Sequence, residues 1–359
     1  MMKKRLGLSI ISLVIFTLLS GLLMTGCSSK DSSKGSSNAA SKETNTKITY
    51  RLSTTTTKNS DTWYNWYCKK FKELTEKYTD GRVEIKIFGE GELYKGYLDM
   101  TKAVMDGSLD MALIIPSSAF SDVGIPEAST MALPRLFKNE SQLYKFLERE
   151  DGYKRVEKIL NERHVRILDN IVMGKYHIYT QKPINTVADF KGVKTRLSSG
   201  PVNTVGKTMG MVPTELPVSD VYMGLQQKTL DACATGIDTY VNRKWYEVAK
   251  YLPINWPFLY YSGALITNDK SWDKLSPDLK KIMLEKVMPE MHKYGLEMKE
   301  KMWAKMEEDS RKAGANVYNV PEETIKEFDN IIVDKAFPEL RKISPLMSEL
   351  IDVAKDCAK

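Results

Sequence analysis

Residues 182–238 read KPINTVADFKGVKTRLSSGPVNTVGKTMGMVPTELPVSDVYMGLQQKTLDACATGID, and their punctuation decides the fold. DFKGVKTR is a charged turn feeding a short strand that ends on Arg196. Ser198, Ser199, Gly200 and Pro201 then break the chain. Residues 202–209 read as a helix, 212–215 as an extended piece, 218–228 as another helix and 230–234 as a buried strand. Arg196 is thereby placed at the carboxyl end of a strand, beside a loop that opens a helix. Open α/β sheets hold their ligands at that place. A guanidinium there can grip a carboxylate through two parallel charge-assisted hydrogen bonds. On spacing alone, the alternative is a surface Arg paired with a nearby Asp or Glu.

Towards the N-terminus, Ile48, Tyr50 and Leu52 alternate with polar residues and predict a strand. Residues 54–61 make a polar loop, and 62–78 a helix with Trp63, Trp66, Tyr67, Phe71 and Leu74 at helical spacing. After an Asp80-Gly81 turn come a strand over 83–88, a helix over 98–105 stopped by Gly107, and the buried strand LDMALIIP. That strand runs into a loop at 116–119. This order, β-loop-α-β-α-β, argues for an α/β sheet with crossover helices. Asn139 caps a helix through Leu147, and a further helix ends near Glu162. Residues 164–170 and 173–180 read as two strands crossing into a second globular unit.

Towards the C-terminus, 245–252 reads as helical and PINWPFLYYSGALITN as an aromatic segment ending in a strand. Ser276-Pro277 starts a helical region that runs to Lys312, interrupted by Pro289 and Gly295. It lacks a heptad seam and reads as a spine. A strand at 316–320 and helices at 322–335 and 340–355 close the chain.

The first 26 residues stand apart. Lys3, Lys4 and Arg5 precede an apolar run over 6–23, then LMTGC ends at Cys27. A charged start, a small-residue site and an immediate Cys read as a signal peptide. LMTGC resembles a bacterial lipobox, which implies cleavage before Cys27 and its lipidation, giving a lipid anchor. The alternative is a plain N-terminal anchor helix. Residues 27–46, with that Cys at their head, are Ser-, Lys- and Asn-rich and form a flexible tether. Removing residues 1–26 lowers the formal charge from +7 to +4. No basic stripe with interleaved aromatics suggests nucleic acid. Cys68, Cys233 and Cys357 fit no zinc spacing and read as inert buried thiols, with a Cys68–Cys233 bridge left open.

In order and spacing, FGEGEL before a helix, DGSLDMAL, ALPRLF, ADFKGVKTR, VSDVYMGLQQKTLDA and the helix start at 275–279 resemble the solute-binding subunits of TRAP transporters, DctP type. The resemblance covers roughly residues 48–353. It implies a two-lobed periplasmic-binding-protein-like α/β fold with discontinuous lobes, hinge strands and a long spine helix. Lobe I would take 47–173 and about 262–302, and lobe II 174–261 and about 303–359. It also implies a small organic acid in the cleft and delivery to large and small membrane subunits of a sodium-driven, ATP-independent carrier. The protein is then an extracytoplasmic monomer anchored to the membrane by lipid.

The resemblance assigns residues as well. Arg196 falls on the family's carboxylate clamp and Ser199 on a ligand-contacting place after it. Thr235 stands where many members carry Asn, in DACATG. Tyr176 replaces a second Arg found in sialic-acid binders. Ile115 and Pro116 occupy a region where those binders have an acidic contact, and Val218 a wall position often aromatic. These departures predict one carboxylate per ligand and a weakly polar or apolar remainder. Trp256, Phe258 and Tyr260 are either apolar cleft wall or hinge-region core. Thr57 and Asn59 are either first-lobe hydrogen-bond partners or ordinary loop residues.

No enzyme signature competes strongly. His164, His177 and His292 are scattered, and GxSxG, P-loop and GxGxxG patterns are absent from the sequence. No catalysis, cofactor or metal is expected. The alternatives are a binding protein feeding a sensor or an ABC importer, and a surface glycosidase built on a pair of acids.

Overall fold

The computed structural model describes residues 47–56, 61–198 and 200–359. Strands and helices alternate through the first part as the apolar pattern requires. β1 (Ile48–Ser53) buries Tyr50 and Leu52. α1 (Trp63–Tyr78) begins where the Thr62 side chain accepts from the Asn65 N–H. It buries Trp63, Tyr67, Phe71 and Leu74. β2 (Val83–Phe88), α2 (Tyr97–Asp106) and β3 (Met111–Ile114) follow. β1 lies parallel to both β2 and β3.

Residues 116–119 are not a loop. Pro116 opens α3 (Pro116–Asp122), because a first helical turn has no use for the N–H that proline lacks. α4 (Glu140–Glu148) is capped by Asn139, and α5 (Lys154–Glu162) precedes the longest strand. The two strands expected over 164–180 are one, β4 (Val165–Thr180), irregular at two bulges. At the second bulge Gly174 has φ +124°. A Cβ there would lie 2.3 Å from Trp303 Nε1, so the close approach of Trp303 requires glycine. That indole donates to the Met173 carbonyl at 2.7 Å.

The second part repeats the alternation with shorter pieces: β5 (Lys194–Arg196), α6 (Gly200–Thr208), β6 (Val212–Pro213), α7 (Val221–Gln226), β7 (Ala232–Gly236) and α8 (Ile237–Asn242). The expected helix over 245–252 is a single turn, Trp245–Glu247. It gives way to β8 (Tyr251–Pro253), whose parallel partner is β10 (Asn316–Tyr318). A strand of three residues whose partner lies so far along the chain leaves no local pattern to read.

Among the described residues the main path of the sheet runs β2-β1-β3-β9-β4-β7-β5-β6, with β9 being Leu259–Asn268. The antiparallel pair β4–β9 lies between two sets of parallel strands. Ile114, ending β3, pairs with Ala264, which pairs with Asn170; Gly236, ending β7, pairs with Tyr176. The carboxyl ends of the two sets therefore face each other along β4, separated by about 20 Å at the usual strand rise.

The spine is Pro277–Ile282, a wider turn Met283–Val287, and Met288–Lys312. The wide turn absorbs the ring of Pro289, which would otherwise clash with a carbonyl one turn back. The same device, Ile332–Ala336, precedes Pro338. Trp63 donates to the Gly295 carbonyl, and the spine also packs on α8, so it touches both parts. The helix expected over 340–355 is interrupted: it stops at Arg341 and restarts as Pro345–Cys357, capped by Ser344. Cys68, Cys233 and Cys357 are free and buried, with no bridge between Cys68 and Cys233. Burial pushes the Cys68 and Cys233 thiols up to about 12.

Candidate functional site

Arg196 is the last residue of β5 and is half-buried. Its Nε donates to the Leu216 carbonyl at 3.3 Å, a long bond. Among the described residues no carboxylate lies within ion-pairing distance of its guanidinium. The surface-pair alternative therefore finds no partner. Its charge reaches across the space between the strand ends. It pulls down the carboxyl of Asp122 on α3, which desolvation and then Glu215 raise to about 6. It also opposes the rise of the Tyr97 and Tyr176 hydroxyls.

Tyr176 is buried on β4, its ring 4.1 Å from that of Tyr261 on β9. Thr235 is buried on β7 beside Gly236. Thr235, like Arg196, sits at a strand end of the second set, and Tyr176 lies within β4, paired with Gly236 at the end of β7. Pro116 is buried at the start of α3, beyond the end of β3, and Val218 is half-buried in the turn Val218–Asp220. Ser199, Thr57, Asn59 and Cys27 lie outside the described residues.

The aromatic segment needs correction. Trp256 is fully buried and stacks on Phe328 at 4.8 Å, with Phe190 and Phe258 at its edges. Trp256 and Phe258 are thus core, because neighbouring rings occupy the faces a ligand would need. Tyr260 turns its hydroxyl onto the Lys138 carbonyl at 2.9 Å. Side chains alternate along a strand, so Tyr261 and not Tyr260 shares the face of Tyr176. All ten residues of β9 are buried, so polarity gives no sign of which face is which.

Several residues at the site escaped the sequence reading. Tyr64 on α1 and Tyr97 on α2 approach from the first part, with Thr55 donating to the Tyr97 hydroxyl at 3.1 Å. Asp238, on α8, is 2% exposed. Burial raises its carboxyl first of all, and the Thr239 amide and the more distant Arg243 pull it down. The hydroxyls of Ser53 and Thr54, at the end of β1, are buried with no hydrogen-bond partner among the described residues. Buried polar groups left so are uncommon and call for an explanation. Two contacts tie the parts together beside this space. Arg243 meets both carboxylate oxygens of Glu90 at 3.1 and 3.2 Å, and Asn242 donates to the Asp61 carbonyl at 3.2 Å. Among the described residues no group of His, Cys, Asp and Glu could hold a metal ion, and no helix is long and apolar enough to cross a membrane.

Residues 52–336 match the family described as bacterial extracellular solute-binding protein, family 7 (DctP), and the chain belongs to that family. It is 31% identical over 228 residues to the C4-dicarboxylate-binding periplasmic protein DctP of Rhodobacter capsulatus, covering 63% of this chain and 66% of that protein. It is 27% identical over 218 residues to the 2,3-diketo-L-gulonate-binding periplasmic protein YiaO of Escherichia coli, covering 60% and 65%. The matched stretch thus spans just under two thirds of these relatives. Among solved structures, the sugar acid binding protein DctPAm of Advenella mimigardefordensis, in complex with galactonate, has a TM-score of 0.77 at 20% identity. The match covers 87% of this chain and 99% of that one. A TRAP periplasmic solute binding protein from Desulfovibrio salexigens with bound orotic acid has a TM-score of 0.77 at 22% identity, with the same coverage. These likenesses establish the two-lobed α/β fold.

Proposed function

We propose that this chain is the extracytoplasmic solute-binding subunit of a TRAP transporter and captures a small monocarboxylate between its lobes. Arg196 clamps the carboxylate. The observation that carries this reading is the half-buried guanidinium at a strand end, facing the other strand set, with no acidic partner among the described residues. Such a group lacks a counter-anion, and a ligand carboxylate supplies two charge-assisted bonds to it. Relatives' names and bound ligands agree in class: C4-dicarboxylate, galactonate and orotic acid are all carboxylates.

The lobes comprise residues 47–173 with about 262–302, and 174–261 with about 303–359, swinging about β4 and β9. The ligand touches both lobes only when they close, and its preference for the closed state shifts the population. Thr235 and Tyr176 border the carboxylate, with Ser199 and Val218 on the same lobe. Pro116, Thr57 and Asn59 approach from the other lobe. Cys27 carries the lipid that holds the monomer at the membrane, within reach of the large and small subunits that take the ligand inward. No covalent chemistry is involved.

A thermal-shift screen of the purified protein tests this against monocarboxylates, dicarboxylates, sugar acids and neutral sugars. A ligand at 100 times its dissociation constant stabilises by about 2.7 kcal/mol. The expected result is a shift with a monocarboxylate that disappears in Arg196→Ala. A response to neutral sugars alone overturns the reading.

A further inference from the structure

Asp238 is a buried carboxyl group on which Arg243 acts only from a distance. It is 2% exposed, and among the described residues no Lys or Arg lies within ion-pairing distance. Its position is set by Gly236, which ends β7. A Cβ at Gly236 would stand 2.6 Å from the Tyr261 hydroxyl and 2.7 Å from Asp238 Oδ1. The missing side chain therefore lets a hydroxyl and a carboxylate converge on one spot next to Thr235. The rings around that spot come from both lobes. Burial above all, with a smaller contribution from the charge of Asp238, raises the hydroxyls of Tyr64 on α1, Tyr97 on α2, and Tyr176 and Tyr261 on the central strands. Arg196 acts on Tyr97 and Tyr176 with the opposite sign. Arg196 pairs with Cys233 on β7, the strand that ends two residues before Asp238, so the two groups stand at the carboxyl ends of neighbouring strands.

An uncompensated buried carboxylate is costly, and helix-end amides relieve only part of that. A carboxylate beside tyrosine hydroxyls suits an ammonium group, which pairs with the acid and donates its remaining N–H bonds to the hydroxyl oxygens. We propose that the ligand is a zwitterion: its carboxylate lies on Arg196, and its ammonium lies on Asp238 among Tyr64, Tyr97, Tyr176 and Tyr261. This rests on the Arg196 reading and narrows it from monocarboxylates to amino acids and their relatives. The ligand's carboxylate pairs with Arg196, and its ammonium favours the charged form of Asp238 that burial opposes. A dicarboxylate would instead set a second anion against Asp238, and like charges in a closed site discriminate strongly. The weakly polar remainder expected from the sequence is replaced by a cationic one.

The test is calorimetry on the purified protein with matched triplets of one parent acid carrying an amino, a hydroxy or a second carboxyl group at the same carbon. Alanine, lactate and methylmalonate form one set, and 4-aminobutyrate, 4-hydroxybutyrate and glutarate another. Phenylalanine, phenyllactate and benzylmalonate form a third. The ammonium member of the best-bound set should bind about 30-fold tighter than its hydroxy partner, with the diacid weakest. In Asp238→Asn that ratio should collapse to a few-fold. A purely structural role for Asp238 would lower all three affinities together and leave the ratio unmoved, which overturns the proposal. Should the variant not fold, the wild-type ratio decides alone: a hydroxy acid or diacid that binds as well as the amine refutes the zwitterion. Carboxylate binding without amine preference leaves the Arg196 clamp standing. Failure of every triplet, with a response to neutral sugars, removes both.

Discussion

The two lobes meet the ligand space with different chemistry. The strand ends of the second set, which we assign to lobe II, bring charge: Arg196 closes β5, and Asp238 follows β7. The strand ends of lobe I bring neutral groups, with the unpartnered hydroxyls of Ser53 and Thr54 after β1 and Pro116 after β3. A buried charge lacking a counter-charge costs far more than a buried hydroxyl lacking a bond. Lobe II should therefore supply most of the affinity and set the charge of the ligand. Lobe I should read its shape and add weaker hydrogen bonds on closing.

The sharpest way to break this contrast is to delete one member from each wall. Arg196→Ala should weaken binding by about 30-fold or more, the usual cost of truncating a buried charge pair. Ser53→Ala or Thr54→Val should weaken it by about five-fold at most, as loss of one neutral bond does. Equal losses from the two walls in calorimetry would contradict the division of labour.

A second contrast separates binding from stability. His177, on the hinge strand β4, is fully buried, and burial above all lowers its pKa to about 4. Its Nδ1 lies 2.9 Å from the Pro253 carbonyl, to which it donates as the neutral ring. The unfolded chain takes up this proton near pH 6.5 and the folded one only near 4. Stability should thus be fully present above about pH 6.5 and fall by about 3 kcal/mol as pH drops to 4. Urea unfolding at pH 7 and pH 4.5 should show a smaller loss for His177→Gln than for the wild type. An equal loss in both would move the acid sensitivity elsewhere.

A smaller effect comes from the contact that straddles the walls. Glu90 and Arg243 are each about a quarter to a third exposed, so their pair is screened and worth about 0.5–1 kcal/mol. Glu90→Gln should speed ligand release two- to five-fold in stopped flow at low salt, and the difference should vanish at about 1 M salt. No change in release at low salt would mean that the pair is not made in the closed, liganded state. Smallest of all, Thr235→Asn restores an amide where Thr offers one hydroxyl, and affinity should move by no more than about five-fold.

What the sequence made legible follows from the range of the signals. Caps at Thr62 and Asn139, the strand-turn-helix around Arg196 and the proline at the head of the spine are local, and each appears where its residues demand. Three failures share one cause: the deciding contact lies far along the chain. β8 is a strand because Asn316 pairs with Tyr251. Tyr261 faces the site because β4 and β9 pair with their bulges placed as they are. Asp238 draws notice because Tyr64 and Tyr97, carried by α1 and α2 from far earlier in the chain, lie near enough to feel its charge. Trp256 misled for the opposite reason: its composition suits a cleft wall, but Phe328, 72 residues later, covers it.

The central claim is that a guanidinium fork, and not a mere positive charge, holds the ligand. Its most direct test is calorimetric titration of wild type, Arg196→Lys and Arg196→Ala with the tightest carboxylate from the screen, alongside unliganded melting curves. The account predicts unchanged unliganded melting, binding at least about ten-fold weaker with Lys, which keeps the charge and loses the fork, and weaker still with Ala. Binding by Arg196→Ala within two-fold of wild type would contradict it.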